Sequence, residues 1–173
     1  MRLFVAFNIS AEVQRQIMVH QPPADEHTRP IDPGLMHVTL KFIGEANPAQ
    51  IHGALQSLVN NRFESRLQST GCFRLSGHRK ILWLGVTGSE GLTNLHEAID
   101  CALQPIGVDV ETREYRPHLT LARCKGASAE SIQPFLEANV CSRSFTVNEF
   151  FLFSSAVSDG SLHYRQLHKY YLL

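Results

Sequence analysis

The sequence predicts a mixed fold of strands and helices, laid out as two similar lobes that share one groove. Three observations carry this. Hydrophobic periodicity switches repeatedly between two and about 3.6 residues, giving the order strand, helix, strand, helix, strands, helix, strand, helix, strands. Two of those strands repeat one pattern, His-apolar-Thr-Leu, at His37-Val38-Thr39-Leu40 and His118-Leu119-Thr120-Leu121, 81 residues apart in a chain of 173. No stretch is rich enough in Gly, Ser or Pro to separate independent domains, so residues 1–173 read as one two-lobed unit.

Residues 2–8 alternate and read as the first strand. Ser10 is an N-cap for a helix whose stripe is Val13, Ile17 and Met18, running to about His20. Pro22, Pro23, Pro30, Pro33 and Gly34 mark a long loop holding His27 and Arg29. The first motif strand runs from Met36 to about Ile43. Asn47 then caps a helix with Pro48 at its first position and Gln50 three residues after the cap; its apolar face is Ile51, Ala54, Leu55, Leu58 and Val59.

Strands are expected at 63–76 and 80–86, joined by a turn at Gly77-His78-Arg79. Leu92, Leu95, Ile99, Ala102 and Leu103 form a helical stripe. A short strand is expected at 108–112. The second motif strand follows, from Arg116 to about Cys124, with Pro117 holding Arg116 extended. Residues 128–139 read as a short helix on Ile132, Phe135 and Leu136, with Pro134 against it. Phe145, Val147 and 150–153 are strand-like. A last strand covers 163–172, after a turn at Asp159-Gly160.

Composition narrows the function. Formal net charge is zero, whereas binders of long nucleic-acid tracts are usually basic; a nucleic-acid ligand would be gripped over a small piece. No apolar run reaches about 18 residues, so no membrane span is expected. The opening Met1-Arg2-Leu3-Phe4-Val5-Ala6-Phe7-Asn8 lacks a signal-peptide pattern. Cys72, Cys101, Cys124 and Cys141 are widely spaced without C-x-x-C, which suits reduced thiols in the cytoplasm and suggests no zinc site. Ser nucleophile elbows, Walker loops and dinucleotide Gly motifs are absent.

The chemistry lies in the repeated motif. Residues i and i+2 of a strand share a face, about 6.5–7 Å apart, so an imidazole and a hydroxyl can reach one tetrahedral group. Two such strands offer a neutral His as base, a protonated His as acid, and two Thr hydroxyls for phosphoryl oxygens. A single His on a strand is ordinarily structural, satisfied by a carbonyl, and His20, His27, His52, His78, His96, His163 and His168 stay in that class. Two His can begin a zinc site, but no third ligand at suitable spacing is evident. Cys124 reads as a small packing residue.

These motifs, with Arg2-Leu3-Phe4-Val5-Ala6, Leu40-Lys41-Phe42-Ile43-Gly44-Glu45, Arg116-Pro117 before and Ala122-Arg123 after the second motif, and the late Phe151-Leu152-Phe153-Ser154-Ser155 followed by Tyr164, resemble the 2H phosphoesterase superfamily. Within it the chain is most similar to the RNA 2′,3′-cyclic phosphodiesterases, also called LigT-like or 2′-5′ RNA ligase-like, over nearly its whole length. The resemblance implies an α+β, two-lobed fold with mainly antiparallel sheets lining a central cleft and helices outside. It implies a cytoplasmic, monomeric hydrolase, with no metal or organic cofactor. Its partners would be RNA 3′ ends or nucleotides bearing a 2′,3′-cyclic phosphate, opened to a 2′-phosphate.

By position, His37 matches the proton donor to the leaving oxygen and His118 the proton acceptor. Thr39 and Thr120 match the phosphate-binding residues, and Arg123 the residue beside the nucleobase. Arg123 lies five residues after His118, an odd offset that shares the His118 face only through a twist or a bulge. Phe4 is the candidate for a second stacking surface, with a core position as its competing role. The same parts would serve reverse 2′-5′ ligation, a 2′-5′ oligoadenylate, or a cyclic phosphate of an ADP-ribose derivative. A non-catalytic RNA-end binder is the reading from another class. The loop at 22–34 and the stretch at 154–165 are where substrate choice would lie.

Overall fold

A computed structural model describes residues 1–88, 90–158 and 160–173. Its strands are β1 (Arg2–Asn8), β2 (Thr28–Pro30), β3 (His37–Glu45), β4 (Phe63–Leu75), β5 (Arg79–Gly88), β6 (His118–Lys125), β7 (Phe145–Val147), β8 (Glu149–Ser158) and β9 (Ser161–Tyr171). They pair in the order β7-β4-β5-β6-β3-β1-β8-β9, with β2 on β6. Every described pairing is antiparallel, so the fold is α+β with an open sheet. The two halves meet at a narrow seam: β3 and β6 share the single register pair Val38↔Leu119.

The helices α1 (Ala11–Met18), α2 (Pro48–Leu55), α3 (Glu90–Leu103) and α4 (Ala129–Leu136) bury Val13, Ile17, Ile51, Leu55, Leu95, Ile99, Ile132 and Phe135 into one core. Leu3, Val5 and Phe7 of β1, Val38 and Leu40 of β3, and Leu119 and Leu121 of β6 fill the same core from the strands. The helices therefore cover one face of the central strands and leave the other for a groove. The two expected caps form, Ser10 accepting from the Val13 amide and Asn47 from Ala49, and Ser128 caps α4 by accepting from the Ser131 amide. Pro134 is accommodated inside α4.

Three expectations differ. The 22–34 loop contains β2, which pairs with β6 at Thr28↔Cys124, Arg29↔Arg123 and Pro30↔Ala122. Pro30 is tolerated because β2 is a short edge strand. No strand forms at 108–112; there the Asp109 carbonyl accepts from the Lys41 ammonium, and Val110 is exposed. The α2 helix ends at Leu55, leaving Val59 outside it and 75% exposed. Of the expected turn at Asp159-Gly160, Asp159 lies outside the described residues; Gly160 has φ +74°, a value a side chain would strain. Among the described residues, no helix is long and apolar enough to cross a membrane.

Candidate active site

The seam sets the site. Val38 and Leu119 face each other and are fully buried, so the residues flanking them point to the opposite face. Antiparallel register brings His37 beside Thr120 and Thr39 beside His118. All four line one cavity of about 550 Å³, together with Phe4, Arg123 and Tyr164.

Each ring is tethered alike. The carbonyl two residues earlier accepts from Nδ1: Leu35 O at 2.8 Å for His37, Arg116 O at 2.7 Å for His118. A carbonyl only accepts, so Nδ1 carries the hydrogen and Nε2 is left for the groove. Among the described residues, no three His, Cys, Asp or Glu side chains converge as a metal-ligand set.

The parity problem of Arg123 is solved by a bulge. On β6 the register with β5 jumps from Trp83↔Thr120 to Leu82↔Ala122, making Leu121 the extra residue. Leu121 and Ala122 are both buried, and Arg123 returns to the His118 face. On β3 the same happens: Ala6 pairs Thr39 and Val5 pairs Lys41, so Leu40 is extra and Phe42 returns to the His37 face. Phe42 and Arg123 thus hold matching places, five residues after each His.

Both bulge carbonyls are captured from outside the ladder. Leu121 O accepts from Gln21 Nε2 at 2.9 Å and from the Ile31 amide at 2.8 Å; Leu40 O accepts from His96 Nδ1 at 2.8 Å. The β3 bulge has further support. Tyr115 donates its hydroxyl to Thr39 O at 3.0 Å and stacks on His96, with centroids 3.9 Å apart. Burial pushes the Tyr115 phenol well above the usual range, keeping it a donor. The Lys41 ammonium, buried, lies 2.7 Å from Asp100 Oδ1 and donates to Asp109 O at 2.7 Å. The Asp100 contact is one of charge more than of hydrogen-bond direction.

The rings differ in surroundings. His37 packs against Phe4 at 5.0 Å and, edge-on, Tyr164 at 5.1 Å. Burial lowers its pKa first; the Leu35 carbonyl pulls the other way, and the Arg123 and His118 charges lower it further. His118 packs edge-on against Phe73 at 4.8 Å, with Trp83 at 6.1 Å. Burial lowers its pKa too, opposed by the Arg116 carbonyl. Trp83 reaches this place because Gly71 lies under its ring: a Cβ there would fall 2.1 Å from a ring carbon.

The cavity thus brings together His37, Thr39, His118, Thr120 and Arg123. Phe4 takes its competing, core position: it is 4% exposed, stacked on Phe153 at 5.2 Å, and forms floor beneath His37. The aromatic rings that present more surface to the groove are Tyr164, half-buried, and Phe42, 72% exposed. Burial pushes the Tyr164 phenol up, against the pull of the Arg123 and Arg2 charges. Phe42 was discoverable by laying one motif on the other; Gln21, His96 and Tyr115 carry no local signal of their role. His27 is tied down, its Nδ1 3.1 Å from the Lys125 carbonyl.

This geometry has relatives. A family model described as the 2′-5′ RNA ligase superfamily matches residues 11–159. The RNA 2′,3′-cyclic phosphodiesterase of Escherichia coli strain K12 is 30% identical over 180 residues, covering 99% of this chain and 96% of that one. That of Aeropyrum pernix is 37% identical over 95 residues, a match spanning 53% of this chain and 54% of the relative's length. The crystal structure of E. coli LigT complexed with 3′-AMP superposes with a TM-score of 0.78 at 26% identity, covering 99% of this chain and 97% of that one. A paired-motif groove on an antiparallel sheet, matched over most of its length by that family, makes this chain a member of the 2′-5′ RNA ligase superfamily.

Proposed function

We propose that this protein hydrolyses a terminal 2′,3′-cyclic phosphate on RNA or a nucleotide to a 2′-phosphate, without a metal, by acid–base catalysis between His37 and His118. The observation that carries this reading is the pair of Nδ1-tethered rings whose remaining nitrogens share one groove with two threonines. The names and titles of the relatives support the substrate: 2′,3′-cyclic phosphodiesterases, and a structure holding 3′-AMP.

In the proposed step, His118 Nε2 takes a proton from water as its oxygen attacks phosphorus. The P–O3′ bond breaks in line, and protonated His37 gives its Nε2 proton to O3′. A lowered pKa makes the protonated ring of His37 the stronger acid, and the substrate's negative charge favours protonation before the step. Thr39 and Thr120 donate to the non-bridging oxygens. Arg123 lies over the base with Tyr164 beside it, a sandwich that tolerates any base. Ligation is the same step with an RNA 5′-hydroxyl in place of water. The two half-sheets act as one two-lobed unit, a monomer. The free cysteines Cys72, Cys101, Cys124 and Cys141 fit a reducing cytoplasm.

The test is turnover of an oligoribonucleotide ending in a 2′,3′-cyclic phosphate, in excess EDTA, for wild type beside His37→Ala and His118→Ala. Wild type should yield a 2′-phosphate and each variant should lose about 100- to 10,000-fold in rate. A His37→Ala protein with wild-type rate contradicts the mechanism. Binding of the oligonucleotide without turnover by wild type supports the end-binding reading instead.

A further inference from the structure

Two pairs of like charges face each other across the strands beside the groove. Antiparallel partners share one face of a sheet, and like charges placed opposite there destabilise it. Yet Arg29 of β2 stands opposite Arg123 of β6, and Lys125 of β6 stands opposite Arg79 of β5. The β6 register is regular from Ala122 to Lys125. Both pairs therefore lie on one face, in rows two residues or about 6.5–7 Å apart. That face is the groove face, because Arg123 and its partner Ile81 both line the 550 Å³ cavity. The second row carries the groove floor outward, beyond the side chain placed at the nucleobase.

The fold does little to offset this charge. All four side chains are exposed, and among the described residues none has a carboxylate within 4 Å. The acidic residues of the neighbouring loop are turned to other work. Asp25 accepts from the His27 and Thr28 amides, and Glu26 lies 3.4 Å from His27 Nε2. Arg79 is already oriented: its Nε donates to the Ser76 carbonyl at 3.0 Å and its Nη2 to the Ser76 hydroxyl at 3.3 Å. The chain has a formal net charge of zero, so these rows are a local concentration of cations. An anion laid between opposing cations turns their repulsion into attraction.

We propose that Arg29, Lys125 and Arg79 form a track for the backbone phosphates of the RNA strand that leads, in the 5′ direction, to the cyclic end. The track rests on the phosphodiesterase reading above, which puts the terminal base on Arg123. It makes the preferred substrate an RNA end and not a mononucleotide. Three cations beyond Arg123 grip about three phosphates, through charge and without reading sequence. A lone nucleoside 2′,3′-cyclic phosphate has no phosphate to lay on them.

The experiment measures kcat/KM for an oligoribonucleotide ending in a 2′,3′-cyclic phosphate and for the nucleoside 2′,3′-cyclic phosphate of the same base, in wild type, Arg79→Ala and Lys125→Ala. For wild type the oligonucleotide should be favoured by at least about tenfold, and the preference should shrink as salt rises. Each variant should lower that ratio by about three- to fivefold, the scale of one exposed ionic contact. Thermal midpoints should hold or rise, because each substitution relieves a like-charge pair. Equal preference for the two substrates in wild type overturns the track. So does a variant that loses both activities alike with a lowered midpoint, which marks a structural role. A second readout is the Kd of the same oligonucleotide bearing a 2′-phosphate end. It should rise in both variants, and the slope of log Kd against log salt should fall by about 0.7 for each cation removed. Turnover of neither substrate, with these binding changes present, removes the phosphodiesterase reading and keeps the track. Unchanged Kd and slope in both variants overturn the track itself.

Discussion

On β3, His37 is walled by Phe4 and Tyr164 and feels the Arg123 charge; on β6, His118 is walled by Phe73 and Trp83 and faces two cavities. The backbones beneath them are alike. Each ring is tethered by Nδ1 to the carbonyl two residues back, each Thr follows at i+2, and each strand bulges at the third residue after its His. Shared backbone geometry sets where the two imidazoles point, and their unlike surroundings are what the proposed division into acid and base draws on.

The means of holding the two bulges differ as well, and this gives the largest expected effect. The β3 bulge places Lys41 inside the core against Asp100, where β6 has Ala122. Asp100→Ala leaves a buried ammonium without its partner and should cost about 3–5 kcal/mol of unfolding free energy in urea titration. A loss below about 1 kcal/mol, the scale of an exposed pair, would mean that both bulges support themselves.

Thr39→Ala and Thr120→Ala come next. If the two strands serve the phosphate alike, each should lower kcat by about 10- to 1,000-fold, by similar factors. An effect confined to one of them would break the symmetry at the phosphate and confine it to the backbone.

The carbonyl clamps separate the halves more finely. His96→Ala removes the Leu40 clamp and the ring under Tyr115, and should cost about 1–3 kcal/mol. Gln21→Ala leaves Leu121 O its bond from the Ile31 amide, so its cost should be smaller. Thermal unfolding ranks the two, and the reverse order would contradict this account of the clamps.

The smallest effect is a displacement in pH. Burial holds both rings below the usual imidazole pKa of about 6.5. The acid must be protonated to act, so kcat/KM should decline as pH rises through that lowered value. A bound phosphodiester anion favours the charged ring, so the same limb of kcat should lie at higher pH. Coincident limbs would mean that the substrate's charge does not reach His37.

Much of this was written in local sequence. Strand and helix periodicity, the Ser10 and Asn47 caps and the paired motifs all depend on neighbours in the chain, and the structure has them. The strand expected at 108–112 fails because the Asp109 carbonyl is turned toward Lys41, 68 residues away. β2 was hidden because Pro30 and Pro33 read as loop, while its partner β6 lies far along the chain. The spacing of Arg123 from His118 calls for a twist or a bulge, but where each bulge falls is hidden for a related reason: it is set by the partner strand's register. Comparing Phe42 with Arg123 would have suggested two of them. Phe4 could not be assigned without knowing that Phe153 covers its ring.

The division of labour between the histidines is best tested with a leaving group that needs no proton. In a 2′,3′-cyclic substrate whose departing 3′-oxygen is replaced by sulfur, the thiolate leaves unaided. The account predicts that His37→Ala recovers at least about 100-fold of its lost rate on this substrate, the low end of what a general acid contributes, while His118→Ala recovers none. Recovery by His118→Ala alone, or equally by both, would contradict the assignment of acid and base.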